Sequence, residues 1–339
     1  MCRIICILSF IGLGFSTVSS QQIKEEQVVF FHGNVRLAGT LVLPKSPGPH
    51  PAIVVVHGSG ASDRSNWEDQ TRHFPQHGIA LLKFDKRGVG DSSGDWRLAT
   101  MANLADDVIS GVKFLQRRTD IRSNKIGVWG GSQGWTVASL AAARSKGSIA
   151  FAVVISGDPK GLWEQEKYRI RVALAQDKVA KETSTRVEHL MNLMQTYFAT
   201  GKNYGALKEC AQSPQYKKHL HYVVRGGVIP PENHPLVTYW KLNFSYKPLS
   251  IIPQIHCPIL SLWGDKDSLV NAHDAEEVAG KAFRESNHAN YTSKVISNAD
   301  HGLYYRKQSG IGWAKDRSKF APGAMEYMTS WVLNEINKE

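Results

Sequence analysis

Cysteine is scarce. Four occur in 339 residues, and two of those, Cys2 and Cys6, stand within the first six positions, so no disulfide framework organises the chain. No Cys-x-x-Cys spacing occurs, and His219-Leu220-His221 has too few ligating neighbours, so no metal site is expected. Acidic residues are outnumbered, 30 Asp and Glu against 41 Lys and Arg, which leaves a formal charge of +11. The basic residues are scattered, and no zinc finger or helix-turn-helix spacing accompanies them, which argues against nucleic acid as a partner. Apolar runs of membrane-spanning length are also missing. The run Ile4 to Phe15 falls well short of the ~20 residues a span needs. No repeat or low-complexity tract is evident, and 42% hydrophobic with 21% charged residues is the balance of a globular chain able to bury a core.

What is present begins at the N-terminus. Arg3, the apolar run Ile4–Phe15 and the small polar stretch Ser16–Ser20 have the order of a cleavable signal peptide at 1–20. The chain is therefore expected to be secreted or periplasmic, without a stable membrane anchor after cleavage. Export permits a disulfide between the remaining Cys210 and Cys257, but one pair does not require it.

Beyond the signal, Val28-Val29-Phe30-Phe31, the turn cluster His32-Gly33-Asn34 and Leu41-Val42-Leu43 read as an antiparallel hairpin. The pattern then changes to short continuous apolar runs at Ala52–Val56, Ile79–Phe84, Ile126–Trp129, Phe151–Ile155, Ile259–Trp263 and Lys294–Ile296. Strands covered by helices on both faces show such continuity. Leu104, Val108, Val112 and Leu115 share one helical face between two of these runs. The predicted class is α/β, with a mostly parallel sheet flanked by helices. The alternation stops over 158–250, where Ala173–Thr200 reads as helix with Leu190, Leu193, Met194 and Tyr197 as a packing stripe. That segment has a net charge of +6 and seven of the eleven tyrosines. It reads as a helical cap inserted into a core formed by 21–157 and 251–339.

Gly130-Gly131-Ser132-Gln133-Gly134 lies between the run Ile126–Trp129 and the helical run Thr136–Ala143. About 0.1 Gly-x-Ser-x-Gly matches are expected by chance in such a chain, and the context adds to that. A sharp strand-to-helix turn needs glycines and presents the serine Oγ outward. A serine is a poor nucleophile until a base takes its proton. His301 follows the last strand-like run, where such a base belongs. Its neighbour Asp300 cannot readily orient it, because adjacent loop side chains diverge. The acid is sought instead in Gly264-Asp265-Lys266-Asp267. Asp267 is preferred because it lies further into the loop; Asp265 is the alternative and suits a turn-tying role. Two N–H donors are needed for a tetrahedral oxyanion: the backbone of Gln133 and, in His57-Gly58-Ser59-Gly60, that of Ser59. His57 is read as shaping this loop, and Asp85–Ser92 as a turn held by an internal Asp–Arg pair.

These stretches together resemble the α/β-hydrolase fold, and are most similar to secreted or periplasmic carboxylesterases among its serine hydrolases. The resemblance covers 27–157 and 251–339. It rests on His57–Gly60 with Asp63-Arg64, on Asp85-x-Arg87-Gly88-x-Gly90-x-Ser92, on the serine turn, on Gly264-x-x-Asp267 and on Asp300-His301-Gly302. It implies Ser132 as nucleophile, Asp267 as acid, His301 as base and the Ser59 and Gln133 amides as oxyanion hole. It also implies a helical cap where 158–250 lies. Gly131 departs from the histidine often found before the nucleophile, and Gln133 from the Glu or Leu relatives can carry.

The expected activity is hydrolysis of a small-molecule carboxylic ester through an acyl-enzyme, with no cofactor. Tyr239, Trp240 and Phe244 are candidate substrate contacts, since aromatic faces with polar handles suit an acyl or aryl group. A peptidase of the same fold would need an acid for a peptide amine, such as Glu164 or Glu166. A thioesterase or acyltransferase would share the triad, and a non-catalytic binding member would be expected to have lost part of it.

Overall fold

A computed structural model describes residues 23–224, 226–307 and 319–338; the expected signal at 1–20 lies outside the described residues. Gly33, at φ +55°, turns the chain between two antiparallel strands, β1 (Lys24–His32) and β2 (Val35–Leu43). Six further strands follow: β3 (His50–Val56), β4 (Ala80–Phe84), β5 (Ile121–Gly131), β6 (Ala152–Ile155), β7 (Ile259–Gly264) and β8 (Tyr291–Ile296). All eight form one sheet in the order β1-β2-β4-β3-β5-β6-β7-β8. From β4 to β8 the pairings are parallel. The six short apolar runs from Ala52 to Ile296 fall on strands β3 to β8, with Ile79 and Phe151 one residue ahead of theirs.

The continuous hydrophobicity of the central strands has the cause expected. Val54 and Val56 of β3 join an apolar cluster with the helices Met101–Gln116, Gln133–Arg144 and Ala272–Glu285. Ile53 and Val55 point the other way, into a cluster with Phe74 and the helix Ala324–Asn337. Alternate residues of one strand thus fill two different cores. The strand order reverses at β3, with β4 on one side and β5 on the other. A crevice opens at such a point, outside the carboxyl ends of the strands. The loops after β3 and β5 border it here, and they carry Ser59 and Ser132.

Between β6 and β7 the described residues contain no strand. The α-helices there are Leu162–Gln176, Lys181–Thr200, Tyr204–Gln212, Pro214–Lys217, Leu220–Val223 and Pro235–Asn243, followed by the 3₁₀ helix Pro248–Gln254. Trp163, Val187, Leu190 and Tyr197 belong to an apolar cluster separate from the two that flank the sheet. The single helix expected over Ala173–Thr200 is broken. Lys178 takes φ +49°, the Val179 N–H returns to Leu174 O, and the Tyr222 hydroxyl donates to Asp177 Oδ2 at 2.7 Å. A partner 45 residues away in sequence pins this turn, so local periodicity carries no trace of it. Asn243 stitches the segment to the core. Its Nδ2 donates to Ala99 O at 3.1 Å and its Oδ1 accepts the Met101 N–H at 2.9 Å. Cys210 and Cys257 are free thiols, so the disulfide that export would permit is absent. No described helix is long and apolar enough to cross a membrane.

Candidate active site

Ser132 stands between β5 and the helix Gln133–Arg144 at φ +59°, ψ −122°. A non-glycine residue in such a conformation costs roughly 1–3 kcal/mol and persists only where its surroundings enforce it. Here the Ser132 N–H donates to Ile155 O and its carbonyl accepts from the Trp135 N–H, both at 2.9 Å. The glycine at 134 is a packing requirement. A Cβ there would lie 2.8 Å from Val56 O, so any side chain would push the helix off β3. The turn also aims the helix N-terminus, with its unpaired N–H groups and positive dipole end, at the serine.

The loops after β7 and β8 meet backbone to backbone. A Cβ on Gly264 would stand 2.3 Å from Ala299 O, and the Lys266 N–H donates to Ala299 O at 2.9 Å. This contact brings Asp267 and His301 together, with Asp267 Oδ2 2.7 Å from His301 Nδ1. Asp267 Oδ1 accepts the N–H groups of Leu269 at 2.7 Å and Val270 at 3.1 Å, which fixes the carboxylate plane. A carboxylate only accepts, so Nδ1 is the donor of this bond, and in a neutral imidazole Nε2 is the basic nitrogen. The other two aspartates of these loops have local work. Asp265 pairs with Lys266 at 3.1 Å, and Asp300 Oδ1 accepts the N–H groups of Gly302 and Tyr304 at 2.8 and 3.0 Å. Asp267 and His301 are both buried.

A cavity of about 850 Å³ contains Ser132, His301 and Ser59 on its wall. Its core side carries Trp67, Trp96 and Trp129, and the helical segment supplies Trp163, Tyr197, Phe198, Tyr239 and Trp240. Tyr239 and Trp240 therefore reach the cavity. Phe244 is not among the wall residues; it packs behind, with its ring 5.6 Å from Trp163 and 6.0 Å from Phe198. Tryptophans 67, 96 and 163 went unread in the sequence, where a wall tryptophan and a core tryptophan look alike. Glu166 also lines the cavity and pairs with Arg169 at 2.8 Å, whereas Glu164 pairs with Lys167 at 2.6 Å and does not line it.

The Gly58–Gly60 loop is anchored from behind. His57 is buried and hydrogen-bonds Phe84 O through Nε2. Burial, with the Lys86 charge nearby, pushes its pKa down to about 3, so it is a neutral structural group. The Gln133 side chain accepts from Lys86 Nζ at 3.0 Å and donates to the Tyr239 hydroxyl. The turn over Asp85–Ser92 is held differently from the expected internal pair. Asp85 binds Arg64 at 2.5 Å, and Arg87 instead binds Asp107 through two bonds of 2.6 and 2.7 Å. Both true partners lie outside the segment, on elements that only the fold brings near.

The family profile described as alpha/beta hydrolase fold matches residues 51–308. The chain belongs to that family. Among similar proteins, Esterase EstD of Thermotoga maritima is 24% identical over 264 residues, covering 74% of this chain and 54% of that protein. The match thus spans about half that relative's length. The Pyrococcus furiosus esterase Pf2001 has a similar structure, with a TM-score of 0.56 at 18% identity over 93% of this chain and 90% of that one. Est1E from Butyrivibrio proteoclasticus, solved with ferulic acid bound, gives a TM-score of 0.55 at 17% identity, covering 92% of this chain and 100% of that one.

Proposed function

We propose that this α/β-hydrolase is an exported serine carboxylesterase with a helical cap over its site. Ser132 Oγ attacks the ester carbonyl and forms a C–O bond, while His301 Nε2 takes the hydroxyl proton. Asp267 keeps the imidazole in the required tautomer and stabilises its positive charge. The Gln133 and Ser59 backbone N–H groups stabilise the oxyanion. Collapse of the tetrahedral intermediate breaks the ester C–O bond, and the alcohol leaves with the proton from His301. Water, deprotonated by the same imidazole, then hydrolyses the acyl-enzyme. The observation that carries this reading is one cavity holding both a serine at φ +59° and a histidine bonded to a buried aspartate. The esterases among its relatives support the same activity.

The cap residues on the wall are mostly aromatic and aliphatic, which favours an apolar acyl or aryl group. The peptidase reading needs an open carboxylate for a peptide amine, and Glu166 is already answered by Arg169. Fluorophosphonate labelling of the wild type and of Ser132→Ala tests the nucleophile. Labelling is expected to vanish in the variant, and labelling that survives would remove Ser132 from that role. A panel of p-nitrophenyl esters, acyl-CoA and aminoacyl anilides tests the substrate class. Turnover confined to anilides or to acyl-CoA would replace the esterase reading.

A further inference from the structure

Lys86 is a buried cation that the proposed chemistry leaves unused. It follows β4, is 3% exposed, and sends its side chain under the oxyanion loop. Its Nζ donates to Gly58 O at 2.8 Å, Gly60 O at 3.1 Å and Gln133 Oε1 at 3.0 Å. An ammonium has three N–H donors, so this set engages all of them. Two of the acceptors bracket Ser59 in the chain, and the third belongs to the residue after Ser132. Those are the two places from which the oxyanion N–H groups come. Ser59 lies between glycines, whose backbone has little intrinsic preference for one conformation, and an external anchor is what such a loop needs.

We propose that Lys86 is a positioning residue, whose ammonium clamps the Gly58–Gly60 loop to Gln133 and so sets the separation of the two oxyanion donors. The inference rests on the serine-esterase reading above. The clamp acts through geometry, because Lys86 Nζ reaches loop carbonyls and a side-chain amide rather than the reacting atoms. While protonated, the ammonium also places a positive charge behind the site of developing negative charge, where low dielectric strengthens its effect.

The clamp has a built-in pH dependence. Burial pushes the Lys86 pKa down to about 7, opposed by the negative charge of Asp107 on the neighbouring helix. Asp107 is itself engaged by Arg87 and His32, at 2.6 and 2.8 Å. His57, on the β3 side, is held neutral, and the Tyr239 hydroxyl on the far side of Gln133 is raised by burial and is neutral too. Trp96 faces the cation with its ring centre 5.3 Å from Nζ. When Lys86 loses its proton, the amine keeps two N–H donors for three acceptors, and the loop loosens. Activity then falls on the alkaline side of neutrality.

The test is steady-state hydrolysis of a p-nitrophenyl ester from pH 5 to 10 by wild type, Lys86→Met, Lys86→Arg and Ser132→Ala. Melting temperatures and inhibition by a trifluoromethyl ketone, which forms a tetrahedral oxyanion adduct, are measured alongside. Lys86→Met should lower kcat by about 10–100-fold with little change in KM, and weaken the ketone in proportion. Lys86→Arg retains donors and never deprotonates, so it should keep most of the activity and lose the alkaline limb. Wild-type kcat in Lys86→Met, with only a lowered melting temperature, would overturn the clamp, as would an unaltered alkaline limb in Lys86→Arg. Should the methionine variant not fold, the arginine profile decides alone. Turnover surviving in Ser132→Ala would bring down the esterase reading itself. Loss there beside an unimpaired Lys86→Met would bring down only the clamp.

Discussion

The Gln133 side-chain amide donates a hydrogen bond to the buried hydroxyl of Tyr239, which joins the residue after Ser132 to the helix Pro235–Asn243. Tyr239→Phe removes the acceptor and leaves a buried amide N–H short of its partner. The expected loss of stability is about 1–2 kcal/mol, seen in urea titration. A drop in kcat/KM should accompany it, because Gln133 is then free to rotate away from Lys86. Unchanged stability and kinetics together would show that this bond does not hold the two parts in register.

Asp267→Asn should lower kcat by roughly 10³–10⁴-fold, since an amide permits the wrong imidazole tautomer. Asp265→Asn should leave kcat near the wild-type value, because that carboxylate is spent on its own pair with Lys266. Kinetics on one ester decide it, and a larger loss for Asp265→Asn would transfer the acid role to that residue.

His57 makes the protein acid-sensitive. Its pKa is about 3 in the folded chain against 6.5 for the free side chain. Between those values the unfolded state binds more protons, so stability rises with pH and is lost as pH falls. The loss should be on the order of 3 kcal/mol by pH 4. Urea midpoints at pH 7, 5 and 4 check the slope, and His57→Gln should flatten it. A variant as acid-sensitive as the wild type would assign the effect elsewhere.

Asp107 neutralises Arg87 where the two side chains are only 2% and 10% exposed. Removing one partner strands a buried charge, so Asp107→Asn should cost about 3–5 kcal/mol. Arg97→Ala, which breaks the more exposed pair with Asp95, should cost less than about 1 kcal/mol. Guanidinium titrations of the two variants should differ by that margin, and equal losses would mean that burial does not set the value of these pairs.

The parts of this molecule legible in its sequence are those whose cause is local. Val54 and its neighbours in β3 are apolar because helices cover both faces of that strand, and the run shows it directly. The Gly-Gly-Ser-Gln-Gly turn announces itself because Gly130 and Gly134 leave no room for a Cβ. Asp267 could be preferred to Asp265 on loop position alone, and the fold brings it within 2.7 Å of His301 Nδ1. Contacts closed across the fold left no such trace. Arg87 and Asp85 look like partners in sequence, yet each finds a better one on another element. The break at Lys178 depends on Tyr222, and the place of Phe244 behind the wall depends on how Trp163 and Phe198 stack. Lys86 sits in a charged turn, and nothing in the spacing says that its amine is buried.

The separate apolar cluster of the helical segment has an evolutionary consequence. Side chains such as Trp163 and Tyr197 pack among their own neighbours, so the cavity's outer lining can drift without disturbing the strands that hold the serine, the histidine and the aspartate. On the proposed reading, selectivity and reactivity are therefore separable by grafting. The exchange meets resistance at Tyr239 and Asn243, whose bonds cross to Gln133, Ala99 and Met101. A transplanted segment that keeps these two side chains in place inherits the chemistry beneath it.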